Sequence, residues 1–251
     1  MTLERNRGVF KSEFTRRLGE AGYGRDNGRV GLLNLLARAG LPVPEGEILT
    51  QRAHEEFLRT NGILRDIRVA GRDAAWRVAE IRSKHVSCPV EGELNQAICE
   101  ALIGLSAKTA LVLSGDLEKG GLRSIPEVRD TVRDAWLSPR GLERQIAAVA
   151  RGEDLPTWPV LVQRELHPQY TGWSTTEGET LIGGEEAERH SGGARVALYD
   201  VEPVGEVGGA ERGSIAGFTL EARSMLGGAV NIRWGLEGGR WYVLSASSSR
   251  Q

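Results

Sequence analysis

The sequence predicts an α+β protein with a helical N-terminal lobe and a β-hairpin-rich C-terminal lobe. Three observations predict it. Apolar residues recur at helical spacing, segment after segment, up to about residue 150. Beyond Gly152 to Pro159 the pattern changes to short runs such as Val160-Leu161-Val162 and Val196-Ala197-Leu198. Paired glycines then punctuate the chain at Gly183-Gly184, Gly192-Gly193, Gly208-Gly209, Gly227-Gly228 and Gly238-Gly239, as hairpins and loops require.

Residues 1–25 are polar and basic, and Val9, Phe14 and Leu18 suggest one amphipathic helix as an N-terminal extension. Val30, Leu33, Leu36 and Ala37 mark a stronger helix that stops at Gly40, with Pro42 and Pro44 forbidding its continuation. Glu47-Ile48-Leu49 reads as a short strand. Thr50 is a candidate N-cap for a helix through Arg59, closed by Gly62. One helix is expected over 65–85, with Ile67, Ala74, Val78 and Ile81 on one side. Leu94, Ala97, Ile98, Ala101, Leu102 and Leu105 form the next stripe. Thr109 to Leu113 is a buried strand, and Val128, Val132, Ala135 and Trp136 lie on a helix that Pro139 ends or breaks. Leu142, Ile146 and Val149 give one more helix. The stretch 152–159 is the predicted lobe boundary, which yields an extension (1–25), a helical lobe (26–152) and a β-rich lobe (153–251). In the last of these, 159–166, 195–201, 231–236 and 240–246 read as strands, and a helix lies near Phe218 to Leu226.

Bulk properties narrow the function. The 251 residues are 40% hydrophobic and 26% charged, ordinary values for a globular chain. A net charge of −2 gives no electrostatic case for nucleic acid or an anionic membrane as partner. No apolar run approaches the roughly 18 residues of a membrane span, and the first 14 residues have no apolar core of a secretory signal. Two cysteines suit a reducing compartment, so a cytoplasmic location is expected. His54, His85, His167 and His190 lack metal-site spacing and read as surface or helix-end residues. His85 with Cys88 and Cys99 lacks a fourth ligand. Glu185-Glu186 and Glu188 read as a solvated loop. Trp136, Trp158, Trp173, Trp234 and Trp241 read as core or interface aromatics, with base stacking as the other option.

Four blocks carry a resemblance. The first runs Asn27-Gly28-Arg29, then Leu36 to Gly46 (LARAGLPVPEG), then Thr50 to Leu58. The second is Leu111-Val112-Leu113-Ser114 with the helix Val128 to Ser138. The third is Pro159 to Gln163 with Tyr170-Thr171-Gly172. The fourth is the tail, Asn231-Ile232-Arg233-Trp234 and Trp241 to Ser248. In this order they resemble the N-terminal ATP-grasp, or phosphoenolpyruvate/pyruvate-binding, domain of phosphoenolpyruvate synthase, pyruvate phosphate dikinase and rifampin phosphotransferase. The resemblance implies an ATP-grasp-like fold closing on ATP, and kinase or phosphotransferase activity completed by a mobile phosphohistidine domain. That domain is expected on a separate chain.

The resemblance also implies where chemistry has been lost. The family's opening Lys corresponds to Arg29, which keeps the charge in a planar fork. Its R-S-S arginine corresponds to Leu113, with Ser114 retained, and its glycine-containing phosphate loop is shortened to Glu118-Lys119-Gly120-Gly121. Gln163 is kept as a candidate nucleotide contact. The tail's metal-holding Glu, its Gln and its Arg become Arg233, Ser245 and Ser247. Magnesium takes hard oxygen ligands. A carboxylate-to-guanidinium change reverses a charge worth roughly 4 kcal/mol per unit pair at about 4 Å and an effective dielectric of about 20. Magnesium is therefore not expected there. The candidate ATP or anion ligands are Arg29, Ser114, Gln163 and Arg233. Arg29 and Arg233 could together hold an anion; alternatively Arg233 pairs with Glu221 or is solvated. The expected function is a degenerate, non-catalytic or weakly nucleotide-binding module. Its alternative is an active phosphotransferase subunit that works with a phosphohistidine partner.

Overall fold

The computed structural model describes residues 13–20, 22, 28–70, 74–105, 107–115, 117–176, 187–189, 195–200 and 209–248. The fold is α+β. Two five-stranded antiparallel sheets are built from β1 (Thr15–Arg17), β2 (Gly46–Leu49), β3 (Ala110–Ser114), β4 (Leu117–Leu122), β5 (Val160–Arg164), β6 (Tyr170–Thr176), β7 (Ala187–Arg189), β8 (Arg195–Asp200), β9 (Val230–Glu237) and β10 (Arg240–Ser248). The first sheet has the order β1-β2-β5-β3-β4 and the second β10-β9-β6-β8-β7. The helices are α1 (Gly28–Arg38), α2 (Gln51–Thr60), α3 (Ile63–Val69), α4 (Ala74–His85), α5 (Gly92–Gly104), α6 (Ile125–Trp136), α7 (Pro139–Ala150) and α8 (Gly209–Leu226).

The first sheet is a middle layer. Its central strand β5 is buried on both faces: Val160 and Val162 join Phe57, Ile98 and Trp136 in one core, while Leu161 joins Leu33, Leu36 and Trp234 in another. Ile48 and Leu49, or Val112 and Leu113, divide between the two cores in the same alternating way. The helices α2 to α7 supply the first core. The second core contains α1, α8 and one face of the second sheet. The helix α1 contacts β3 of the first sheet and β10 of the second. That position explains why its residues 30–34 and Leu36 are all buried.

Local chemistry sets many boundaries. Gly40 has φ +88°, and the next N–H, of Leu41, reaches back to the Leu36 carbonyl at 3.1 Å, a left-handed stop for α1. Thr50 caps α2 by accepting the Ala53 N–H. Ser124 and Glu127 form a reciprocal capping box at α6, and Ser138 with Pro139 starts α7. Gly238 and Gly239, with φ of +59° and +76°, make the tight turn between β9 and β10.

Four expectations are corrected. Residues 15–17 form β1, which pairs with the β2 edge, so the N-terminal segment does not continue a helix through this region. Phe14 enters the core and the Thr50 N–H bonds its carbonyl, so tertiary pairing overrides a weak helical period. The helix expected over 65–85 is two, α3 and α4. The stretch from 117 to 122 is a strand, β4, and not a loop. Finally, the lobe boundary at 152/153 does not divide the sheets, because β5 pairs with β2 and β3. Glu185-Glu186, Gly183-Gly184, Gly192-Gly193 and His190 lie outside the described residues. Cys88 and Cys99 are free thiols. Among the described residues no helix is long and apolar enough to cross a membrane.

Candidate functional site

A cleft of about 1110 Å³ opens at one end of the first sheet. The strand ends Ser114 and Pro159 meet there, together with the β3–β4 turn and the first residues of α1, α2 and α7. Four cations line it: Arg29 from α1, Lys119 from β4, and Arg140 and Arg144 from α7. Glu118 is the one carboxylate among its described lining residues. It is already engaged, accepting from the Arg29 guanidinium at 2.6 Å, with the two side chains 29% and 41% exposed. An ion pair this exposed is worth about 0–1 kcal/mol, so an incoming anion can compete for Arg29.

Arg140 and Arg144 are placed against their local electrostatics. They lie four apart on one helix, so they repel, and the first turn of α7 carries no acid although that end of a helix favours negative charge. Each effect costs a few tenths of a kcal/mol. Both line the cleft beside Arg29 and Lys119.

The aromatic wall is Trp158. Its segment is pinned residue by residue: Gln145 donates to the Pro156 carbonyl, Gln51 to the Thr157 carbonyl, and the Trp158 N–H donates to His54 Nδ1 at 3.2 Å. The ring fills the space where Gly141 lacks a side chain, since a Cβ there would collide with the indole. His54 is completely buried, stacked on Trp136 at 5.5 Å and edge-on to Trp158 at 4.4 Å. Burial pushes its pKa down to about 3, so the imidazole is neutral and keeps a free lone pair for the Trp158 amide. His54 was expected at a surface or helix end and is instead the post behind this wall.

The expected site residues separate. Arg29 and Ser114 both line the cleft. Ser114 is 4% exposed and its hydroxyl donates to the Pro159 carbonyl at 3.3 Å, holding two strand ends together. Gln163 does not line the cleft. It is 1% exposed, and its amide donates to the Pro44 carbonyl at 2.8 Å. Arg233 does not line the cleft either. On β9, Val230, Ile232 and Trp234 turn into the core beneath α8, which puts half-buried Arg233 on the other face, in register with Trp173 and Ser245. Trp173 is 38% exposed there, whereas Trp136 and Trp234 are core residues as expected. No ion pair joins Arg233 to Glu221 among the described residues. Leu113, in the place of the family's arginine, is fully buried in the second core.

These residues do not fit a magnesium ion. The tail positions offer a guanidinium and two hydroxyls, and among its described lining residues the cleft offers one carboxylate, which already holds Arg29. Among the described residues no group of three or more His, Cys, Asp or Glu is arranged to hold a metal. The sequence reading missed Arg140 and Arg144, and placed Trp158 among core or interface aromatics with base stacking as the other option. A signal was available in the two arginines spaced four apart directly after Ser138-Pro139, a helix start that would ordinarily carry acids.

No family model matches the chain, and no curated protein matches it in sequence. Solved structures do resemble it in shape. The D-alanine–D-alanine ligase from Coxiella burnetii has a TM-score of 0.48 at 9% identity, over 89% of this chain and 48% of its own. The Bacillus anthracis D-alanine–D-alanine ligase complexed with ATP has 0.47 at 9%, over 88% and 52%. The ADP complex of N5-carboxyaminoimidazole ribonucleotide synthetase has 0.47 at 14%, over 90% and 45%. The chain thus spans about half the length of these structures. A likeness at this level carries nothing about activity.

Proposed function

We propose that the chain is an ATP-grasp-like scaffold, a degenerate relative of the dikinase nucleotide-binding domain, whose cleft holds a phosphate-bearing anion without turning it over. The observation that carries this is the gathering of Arg29, Lys119, Arg140 and Arg144 around one cleft, in which Glu118, already paired with Arg29, is the one carboxylate among the described lining residues. Guanidinium groups bind phosphate through parallel, charge-assisted hydrogen bonds. The four motif blocks support the scaffold assignment, and of the four candidate ligands Arg29 and Ser114 reach the cleft.

Phosphoryl transfer needs charge neutralisation around the transferred group, mostly by metal ions and positioned cations. The residues at the family's metal and second-arginine positions, Arg233 and Leu113, supply neither function in the cleft. Binding without turnover follows from that pair of substitutions.

Calorimetric titration with ATP, with and without magnesium, tests the reading. The expected result is binding that does not need the metal, with no release of phosphate. Tight binding that requires magnesium, followed by phosphate transfer to a separate phosphohistidine-domain protein, would replace it with the active-subunit reading. No heat with ATP or with inorganic polyphosphate would leave the cleft without an anion and sink the proposal.

A further inference from the structure

We infer that the outer surface of the α3–α4 pair docks on an anionic lipid bilayer, with α4 lying along the membrane and Trp76 at the level of the headgroups. This surface shares no residue with the described lining of the cleft, so the inference stands apart from the anion-binding reading.

The helix α4 has an apolar side that the core does not use. Val78, Ile81 and His85 turn inward and are buried. Trp76, Ala79 and Ser83 recur at spacings of three and four on the opposite side, and all three are exposed, as is Val86 just beyond the helix. Of the five large apolar side chains that are exposed among the described residues, three stand here: Val69 at 70%, Trp76 at 55% and Val86 at 49%. Such a concentration on one element marks an interaction surface, whereas scattered single residues do not.

The charge of this pair has the opposite sign to that of the whole chain. Net charge is −2 overall, but residues 63–70 and 74–86 carry five cations and two carboxylates. Both carboxylates are engaged within the pair. Asp66 accepts from Lys84 at 2.6 Å and meets His85 Nε2 at 2.7 Å, and Glu80 accepts from Arg77 at 2.8 Å. Arg65, Arg68 and Arg82 are exposed and have no ion-pair partner among the described residues. The overall charge excludes a general attraction to anionic surfaces, but salt limits each charge to a range of about 10 Å, so at contact the local sign decides. The Arg77 guanidinium also lies 3.8 Å from the centre of the Trp76 ring, which brings a cation and an amphipathic aromatic to one place, as the headgroup layer favours.

The shape of the surface favours lipid over protein. The hollow between the two helices, walled by Val69, Ala70, Arg77 and Ile81, holds about 80 Å³. A usual binding pocket holds about 300 Å³ or more. Three apolar side chains do not supply the roughly 800 Å² per partner that a specific protein interface buries, which counts against a second copy of the chain. A fluid bilayer needs neither a pocket nor a matching shape. It takes apolar side chains to the acyl boundary and leaves basic ones among the headgroups, where each Lys or Arg gains about fivefold in affinity. Among the described residues no helix is long and apolar enough to cross a membrane, so α4 would lie on the bilayer and not through it.

Co-sedimentation of the full chain with phosphatidylcholine vesicles, with and without about one third phosphatidylglycerol, tests the inference. The chain should bind the anionic vesicles and not the neutral ones, and binding should fall as salt is raised. Arg65→Gln combined with Arg68→Gln should weaken it about 25-fold, from fivefold per charge. Trp76→Ala should weaken it about tenfold. These side chains are exposed, so both variants should keep the wild-type urea midpoint. Trp76→Phe should bind within about threefold of wild type but lose the blue shift of intrinsic fluorescence that the anionic vesicles induce. Failure of the wild type to bind anionic vesicles overturns the inference. Binding of poly-glutamate without binding of vesicles also overturns it and assigns the patch to an acidic protein. Vesicle binding that is unchanged in both the arginine variant and Trp76→Ala overturns it as well, by moving the contact to another cationic surface such as the cleft.

Discussion

Among the described residues the two sheets have equal strand numbers and the same antiparallel pairing, yet they present a ligand with opposite problems. In the first sheet the central strand β5 is buried on both faces, so a ligand can reach it only at its end, and the cleft is there. In the second sheet β9 alternates between buried and less buried positions, with α8 under one face and Arg233 and Trp173 on the other. A closed sheet concentrates charge at its rim, where helix starts and strand ends deliver side chains from distant parts of the sequence. A half-open sheet spreads polar groups across a face. That difference is why Arg29 has three further cations around it and Arg233 does not join them.

The largest expected effect tests the closure itself. Leu161→Ala removes a fully buried side chain between the first sheet and α1, and should cost about 2–5 kcal/mol in urea unfolding. Trp173→Ala, 38% exposed on the second sheet, should cost under about 1 kcal/mol. Similar losses for the two would mean that the second sheet's outer face is packed as tightly as the first sheet.

Next in size is the acid response of the closed side. His54 has a folded pKa of about 3 against an ordinary 6.5, so the unfolded chain takes up the proton first. The stability it contributes is fully present above about pH 6.5 and is lost as pH falls from there toward 3, at up to about 1.4 kcal/mol per pH unit. His54→Gln keeps an acceptor for the Trp158 N–H and has no such titration. The stability gap between wild type and variant should therefore shrink from pH 7 to pH 5. A gap that stays constant would mean that His54 is not held neutral.

Smaller again is the difference between the two arginines. Arg29→Ala should weaken ATP binding about tenfold, the loss of one charge-assisted contact offset by its existing bond to Glu118. Arg233→Ala should leave ATP affinity within about twofold, because it lies outside the cleft. The reverse pattern in calorimetry would move the anion site onto the second sheet.

How much of this was legible in the sequence follows from the range of each interaction. The stop of α1 at Gly40 and the capping of α2 by Thr50 depend on residues a turn away, and both could be read. β4 could not. It is exposed along most of its length and contains two glycines, and what makes it a strand is pairing with β3 and a bond from the Gly121 N–H to Glu165, over forty residues on. The placement of β5 failed for the same reason, since its partners β2 and β3 precede it by about 50 to 115 residues. In the site, Arg29 was legible through its motif. Arg140 and Arg144 belong to none of the candidate ligands, and only the fold brings them to the cleft of Arg29. The motif frame also kept Gln163 and Arg233 as candidates after their surroundings had changed.

The smallest expected effect lies where the two sheets join. The connection from β5 to β6 crosses from one sheet to the other, and Glu237 in the β9–β10 hairpin clasps it. One carboxylate oxygen accepts from Arg164 at 2.7 Å and the other from the His167 N–H at 2.7 Å, while the Gln169 N–H bonds the Leu236 carbonyl. The His167 N–H, and then the Arg164 guanidinium, hold the Glu237 carboxyl below its ordinary value. A depressed carboxylate contributes stability above its unfolded pKa and loses it as pH falls through the folded one. The loss should therefore begin below about pH 4.5. Glu237→Gln should cost no more than about 1 kcal/mol at pH 7, because the side chain is 27% exposed, and nothing further as the medium is acidified through that window. If the clasp also fixes the sheets relative to each other, hydrogen exchange in Glu237→Gln should rise at 164–169 and in the β9–β10 hairpin, and stay unchanged around Ser114 and Pro159. Faster exchange at the cleft as well would mean that the open sheet controls the closed one, and the two regions would have to be treated as one cooperative unit.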